Sequence, residues 1–188
     1  MKNDFHRILE DTPIIAAIKD FDGLEKCFSC ESRIIFILFG DICNIADIVA
    51  QVKAHDKIAM VHIDLITGLS SREIAVDFIK KNTKADGIIT TKPSLAKYAA
   101  SLSLYTVLRF FVIDSMAFHN IEKQLQNVTP DVIEILPALM PRIITRICNM
   151  VSFPVIAGGL ISDKEDVMTV LSSGAASISS TNENVWFL

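Results

Sequence analysis

The strongest constraint on the fold is a rhythm. Eight short apolar runs recur along the chain: PIIAAIK (13–19), RIIFILFG (33–40), KIAMVHID (57–64), GIITT (87–91), YTVLRFFVID (105–114), VIEILP (132–137), PVIAGGL (154–160) and ASISST (176–181). Each is rich in β-branched or aromatic residues and almost continuously apolar, as parallel strands buried on both faces read. Their ends, from Lys19 to Thr181, repeat roughly every 21 to 27 residues, a regular strand–helix period. Between them lie stretches with helical spacing. EIAVDFIKK places Ile74, Phe78 and Ile79 on one face. DKEDVMTVLSSG does the same for Val167, Val170 and Leu171, with Gly174 as a stop. Ser70 with Glu73 and Ser162 with Glu165 fit capping boxes, and Pro93 and Pro141 suit a first helical turn.

Eight strands, each followed by a helix, predict an α/β chain: one (β/α)8 TIM-type barrel over residues 1–188. At 188 residues it is compact, since about 200–250 is usual for this architecture. The last helix, NENVWFL, has room for barely two turns. An open doubly wound sheet is the alternative, although its usual Gly-rich first turn is not what IKDFDG offers.

Composition narrows the class. About half the chain is apolar (51%), so a large core forms without staples. The four cysteines read as core-type thiols. Cys27 and Cys30 form a C-x-x-C, but no second Cys or His pair lies at zinc-site spacing, so no metal site is expected. The N-terminal MKNDFHRILEDTP lacks the apolar segment of a signal peptide. The longest apolar runs, near six residues, fall far short of the roughly 20 a membrane span needs. A soluble cytoplasmic protein without membrane contact is the expectation. A net charge of −4 argues against a wholly basic nucleic-acid surface but leaves room for a local patch.

In a barrel, function sits at the C-terminal strand ends. AGGL after the seventh strand and SSTN after the eighth face each other across the position where barrels often hold a phosphate. Backbone N–H groups there present partial positive charge, and glycine admits an anion without a Cβ in the way. Gly158, Gly159, Ser180 and Thr181 are therefore phosphate candidates, against the plainer reading of a tight turn. Arg109 and Glu134 lie within neighbouring strands, either as a buried ion pair or as groups reading the hydroxyls of a small polar ligand. Asp64 and Lys19 end their strands at the mouth, where Lys19 would offer a cation to the ligand. His62 reads as a packed histidine. No nucleophile–base–orienter set is apparent, so the mouth reads as a recognition site more than a catalytic one. Outside the barrel, Lys80, Lys81 and Lys84 cluster at one helix end with Lys97 nearby, and Arg142 and Arg146 share a helix face. These basic residues solvate outer helices or contact nucleic acid.

MVHIDLITGL, GIITTKPS, RFFVIDS, PDVIEILPALMP, PVIAGGLI and GAASISSTNENVW, in this order, resemble the glycerol uptake operon antiterminator family over nearly the whole chain. PVIAGGLI is common to many phosphate-binding barrels, whereas MVHIDLITG and IEILPALMP are more specific. The resemblance implies a transcription regulator of glycerol metabolism, with no enzymatic step and no cofactor. Its effector would be glycerol 3-phosphate and its partner a leader mRNA, with homo-oligomer formation left open. Carried over, Gly158, Gly159, Ser180 and Thr181 would take the phosphate, and Asp64, Arg109 and Glu134 would read the glycerol moiety or shape the pocket. The alternative is an enzyme of isomerase or lyase type acting on a triose or sugar phosphate, with Asp64 or Glu134 as general acid or base.

Overall fold

The computed structural model describes residues 2–188. Eight parallel strands close a barrel in sequence order: β1 (Ile14–Ile18), β2 (Ile34–Ile37), β3 (Ile58–His62), β4 (Gly87–Thr90), β5 (Tyr105–Phe111), β6 (Val132–Leu136), β7 (Val155–Gly158) and β8 (Ser177–Ser180), with β8 pairing back to β1. All eight expected strands form, trimmed by a few residues at their ends. Seven helices connect them: α2 (Phe21–Cys27), α3 (Ile45–Ala54), α4 (Glu73–Asn82), α5 (Pro93–Ser101), α6 (Ser115–Leu125), α7 (Pro141–Met150) and α8 (Lys164–Ser172). After β8 the chain makes only a 3-10 turn over Glu183–Phe187, shorter than the expected helix. Its Trp186 is buried and donates its indole N–H to the Ser180 carbonyl at 2.7 Å. Among the described residues no helix is long and apolar enough to cross a membrane.

Alternation divides the apolar residues into two layers. Ile35, Ile37, Ala59, Val61 and Ile88 point outward under the helices, whereas Ile15, Phe36, Met60, Ile89, Val107 and Ile156 fill the interior. The interior is closed below by a helix that precedes β1, α1 (Lys2–Asp11). Its Phe5 and Leu9, one turn apart and fully buried, join the interior cluster. Phe5 stacks on Tyr105 at 4.4 Å between ring centroids, and Ser177 Oγ donates to the Leu9 carbonyl at 2.9 Å. With the N-terminal end plugged, the C-terminal end is the one left to receive a ligand.

Three helix-level expectations fail. α4 turns the face formed by Ala75, Val76 and Ile79 to the core and leaves Ile74 64% exposed, with Phe78 partly buried against the same cluster. Its N-cap is Arg72, without a side-chain cap bond, so Ser70 and Glu73 form no capping box. α8 starts one residue later than the Ser162–Glu165 pattern requires. Asp163 accepts from the Asp166 amide at 2.9 Å, and the Asp166 carboxylate accepts from both the amide and hydroxyl of Ser162 at 2.8 Å. Of the cysteines, Cys27 and Cys30 are buried, but Cys43 is exposed in the turn before α3. Pro93 and Pro141 do open α5 and α7, and Gly174 follows α8 at φ +104°.

Candidate functional site

The C-terminal mouth is built on a buried polar bridge across four strands. Arg109 on β5 and Glu134 on β6 are register partners, so their side chains leave the sheet side by side into the interior. Arg109 Nε donates to Glu134 Oε2 at 2.6 Å, with the two side chains 7% and 0% exposed. The other carboxylate oxygen, Oε1, accepts from Ser179 Oγ on β8 at 2.6 Å. That bond crosses over β7 at Gly158. A Cβ on Gly158 would stand 2.3 Å from Ser179 Oγ and 3.0 Å from Glu134 Oε1. Gly158 is thus a glycine because the bridge passes over it, whereas the sequence pointed to an approaching anion. Ser179 escaped the sequence reading. Its signal was the alternation Ser177–Ile178–Ser179, which turns both serines inward.

Above the bridge opens a cavity of about 490 Å3, within the ~300–1,000 Å3 range of small-molecule sites. Arg109, Glu134, Gly159, Ser180 and Thr181 all line it, together with Leu160 and Asn182. Five residues singled out in the sequence therefore meet around one space. Gly159 adopts φ +82° and Leu160 φ +67°. A Cβ at Gly159 would meet nothing closer than Leu136 at 3.5 Å, so backbone conformation rather than crowding calls for glycine there. Among the described residues no backbone hydrogen bond uses the amides of Gly159, Leu160 or Thr181 as donor. The Ser180 hydroxyl is occupied: it donates to the Ile161 carbonyl at 3.3 Å and accepts from the Asn182 amide at 3.1 Å, tying the last two loops together.

Two expected mouth residues lie outside the cavity wall. Lys19 is exposed and does not line it. Asp64, in a 3-10 turn after β3, is a strut. Its carboxylate accepts from the Thr91 amide (2.7 Å), the Thr91 and Thr90 hydroxyls (2.9 and 3.0 Å) and Lys92 Nζ (3.3 Å). Burial alone would raise its pKa, but the Thr91 and Thr90 hydrogen bonds and Lys92 outweigh burial and hold it below the ordinary carboxylate value. His62 ends β3 with the inward parity of Met60. It is 3% exposed, and its Nδ1 has no hydrogen-bond partner. Burial, reinforced by the charge of Arg109, lowers its pKa to about 4, so it is neutral at physiological pH.

Neither carboxylate proposed as a general acid or base is uncommitted. Both oxygens of Glu134 are engaged, and Asp64 is saturated with donors. Among the described residues no cluster of three or more His, Cys, Asp or Glu could hold a metal ion.

Residues 14–186 match the family model of the glycerol-3-phosphate responsive antiterminators. The chain belongs to that family. It is 41% identical over 181 residues to the Escherichia coli (strain K12) protein YgcP, described as uncharacterized, covering 96% of this chain and 95% of that one. The crystal structure of the glycerol uptake operon antiterminator regulatory protein from Listeria monocytogenes str. 4b F2365 superposes with a TM-score of 0.90 at 31% identity, over 94% of this chain and 95% of that chain. An antiterminator-related protein from Thermotoga maritima MSB8 gives 0.82 at 33% identity, over 93% and 98%. Membership gives the chain a regulatory role, glycerol-3-phosphate-responsive antitermination.

The fold separates the two groups of surface basic residues. Each helix after a strand starts at the mouth and ends at the plugged end. Lys80 and Lys81 occupy the last turn of α4, with Lys84 just beyond, and so lie at the end remote from the cavity. Arg142 lies in the first turn of α7 and Arg146 one turn further on, at mid-helix, nearer the mouth.

Proposed function

We propose that glycerol 3-phosphate is the effector and that it binds in the 490 Å3 cavity, with its phosphate on the loops after β7 and β8. The observation that carries this reading is the set of uncommitted amides at Gly159, Leu160 and Thr181, three residues that line one cavity together with Arg109. Oriented backbone N–H groups in a left-handed turn form an anion-binding concavity. Arg109 spends its Nε on Glu134, which leaves the two terminal nitrogens as donors toward the cavity. Glu134 and Ser179 beneath would hold that guanidinium in place for the glycerol hydroxyls. The chain would then act as an effector-gated protein that binds leader mRNA of a glycerol-utilisation operon. Linkage requires RNA and effector to raise each other's affinity by the same factor.

A thermal-shift panel of phosphorylated three-carbon compounds tests the effector site. Glycerol 3-phosphate at 100 times its dissociation constant stabilises the fold by about 2.7 kcal/mol, and glycerol or inorganic phosphate alone is expected to give much less. No shift with any compound of the panel would refute the site. Filter binding to a leader hairpin, with and without glycerol 3-phosphate, tests gating. Equal RNA affinity in both conditions would rule it out.

A further inference from the structure

A second cavity, of about 280 Å3, opens between α6 and α7 beside the mouth. Its floor is apolar, formed by Val112, Met140 and Ile143, and its walls carry the rings of Phe118 and His119. Arg146 stands over Phe118 with its Cζ 4.4 Å from the ring centroid, and no ion pair or hydrogen bond among the described residues engages its guanidinium. Asp114 at the rim caps α6 through Oδ1, which accepts from the Ala117 amide at 2.7 Å, and keeps Oδ2 as an acceptor. Ile113, 81% exposed, extends the apolar surface outward.

We propose that this cleft receives one unstacked nucleobase of the bound RNA. The proposal rests on the antitermination reading above. Single-stranded RNA is recognised by bases splayed onto aromatic rings and guanidinium planes, with a hydrogen bond to the base edge. Phe118, His119 and Arg146 supply the rings and the cation, and Asp114 Oδ2 accepts from a base amino or imino group. Arg142, one turn before Arg146 on the same face, is placed for the adjoining phosphate. A protein partner has less reason to select unpaired guanidinium groups beside a single acceptor, which favours RNA as the occupant.

The cleft is also wired to the effector cavity. Its walls are the loops after β5 and β6, the strands that carry Arg109 and Glu134. The Ala138 amide donates to the Gly159 carbonyl at 3.2 Å, and the Met140 amide donates to the Ala138 carbonyl at 2.7 Å. An anion that orders Gly159 therefore acts through two hydrogen bonds on Met140, part of the cleft floor.

The test is ultraviolet crosslinking of the full chain in its native host grown on glycerol, followed by mass spectrometry of nucleotide-modified peptides. Adducts are expected on the segment containing Phe118 and His119. Adducts confined to the segment of Lys80, Lys81 and Lys84 would overturn the cleft while leaving RNA binding in place. Adducts nowhere above an unirradiated control would overturn both. A dimer in sedimentation that Ile113→Glu dissociates would show a second copy covering the cleft and would also overturn it. Phe118→Leu keeps an apolar side chain without the ring, Arg146→Gln keeps a polar one without the charge, and each is expected to weaken binding of the copurifying RNA by roughly 5- to 150-fold. The glycerol 3-phosphate thermal shift is expected to stay unchanged, since neither residue lines that cavity. Wild-type RNA affinity in both variants would refute the proposal.

Discussion

Removing one member of the Arg109–Glu134 pair separates what holds the barrel from what reads the effector. At 2.6 Å and an effective dielectric near 20, the attraction between the charges is about 6 kcal/mol. Desolvation of two ions, at several kcal/mol each, offsets most of it. The intact pair therefore contributes little net stability, but either partner alone keeps its desolvation cost. Glu134→Leu leaves Arg109, 7% exposed, without a counter-charge, and Arg109→Met leaves Glu134, fully buried, with only the Ser179 hydroxyl. Each single variant is expected to lose about 3–5 kcal/mol. For a chain of this size that lowers Tm by roughly 8–16 °C for a loss near 4 kcal/mol. The double variant removes both charges and is expected to recover most of the loss, less roughly 1 kcal/mol for the Ser179 hydroxyl left without its acceptor. Urea unfolding of the four proteins gives the coupling energy directly, and thermal shifts with glycerol 3-phosphate are expected to vanish in all three variants. Single-variant losses below about 1 kcal/mol, or a double variant as unstable as the sum of the singles, would refute the argument. Either result would mean that water reaches the pair.

Three further outcomes are expected. Gly159→Val places a β-branched residue at φ +82°, a conformation costing about 1–2 kcal/mol for ordinary L-residues; circular dichroism is expected to show a folded barrel and calorimetry no glycerol 3-phosphate binding. Asp64→Ala frees the buried Thr90 hydroxyl from its acceptor and is expected to cost about 1–3 kcal/mol in urea unfolding, with effector binding retained; lost binding at unchanged stability would make Asp64 a ligand residue instead. His62 has a folded pKa of about 4 against 6.5 for the free side chain, so the native state favours its neutral form. Its contribution is complete above pH 6.5 and lost as pH falls toward 4, in total about 3 kcal/mol. His62→Gln is expected to remove that part of the acid-side slope in a pH series of urea midpoints.

Much of the molecule was legible in the chain alone. The barrel could be read because a parallel strand buried on both faces leaves a local mark, an unbroken β-branched run, and eight such marks at one spacing admit few topologies. Arg109 and Glu134 could be paired because they sit on consecutive strands, where register partners follow the strand–helix repeat. The family could be recognised because its motifs are the strand ends themselves. The charged ends were harder to sort. Asp64, Lys19 and Glu134 look alike as polar residues closing apolar runs, yet one braces β4, one faces solvent and one lies in the interior.

Those distinctions depend on contacts between residues far apart in the chain. Gly158 owes its identity to Ser179 and Glu134, reached from separate strands. The α1 plug depends on Phe5 meeting Tyr105 and on Leu9 meeting Ser177. The α6–α7 cleft is joined to the mouth through the hydrogen bonds of Ala138 to Gly159 and of Met140 to Ala138. Sequence by itself determined which segments become strands and in what order they close, because burial on both faces acts on each segment locally. Only the tertiary structure decided which polar strand ends face the effector, because that depends on which donors the neighbouring strands have already engaged.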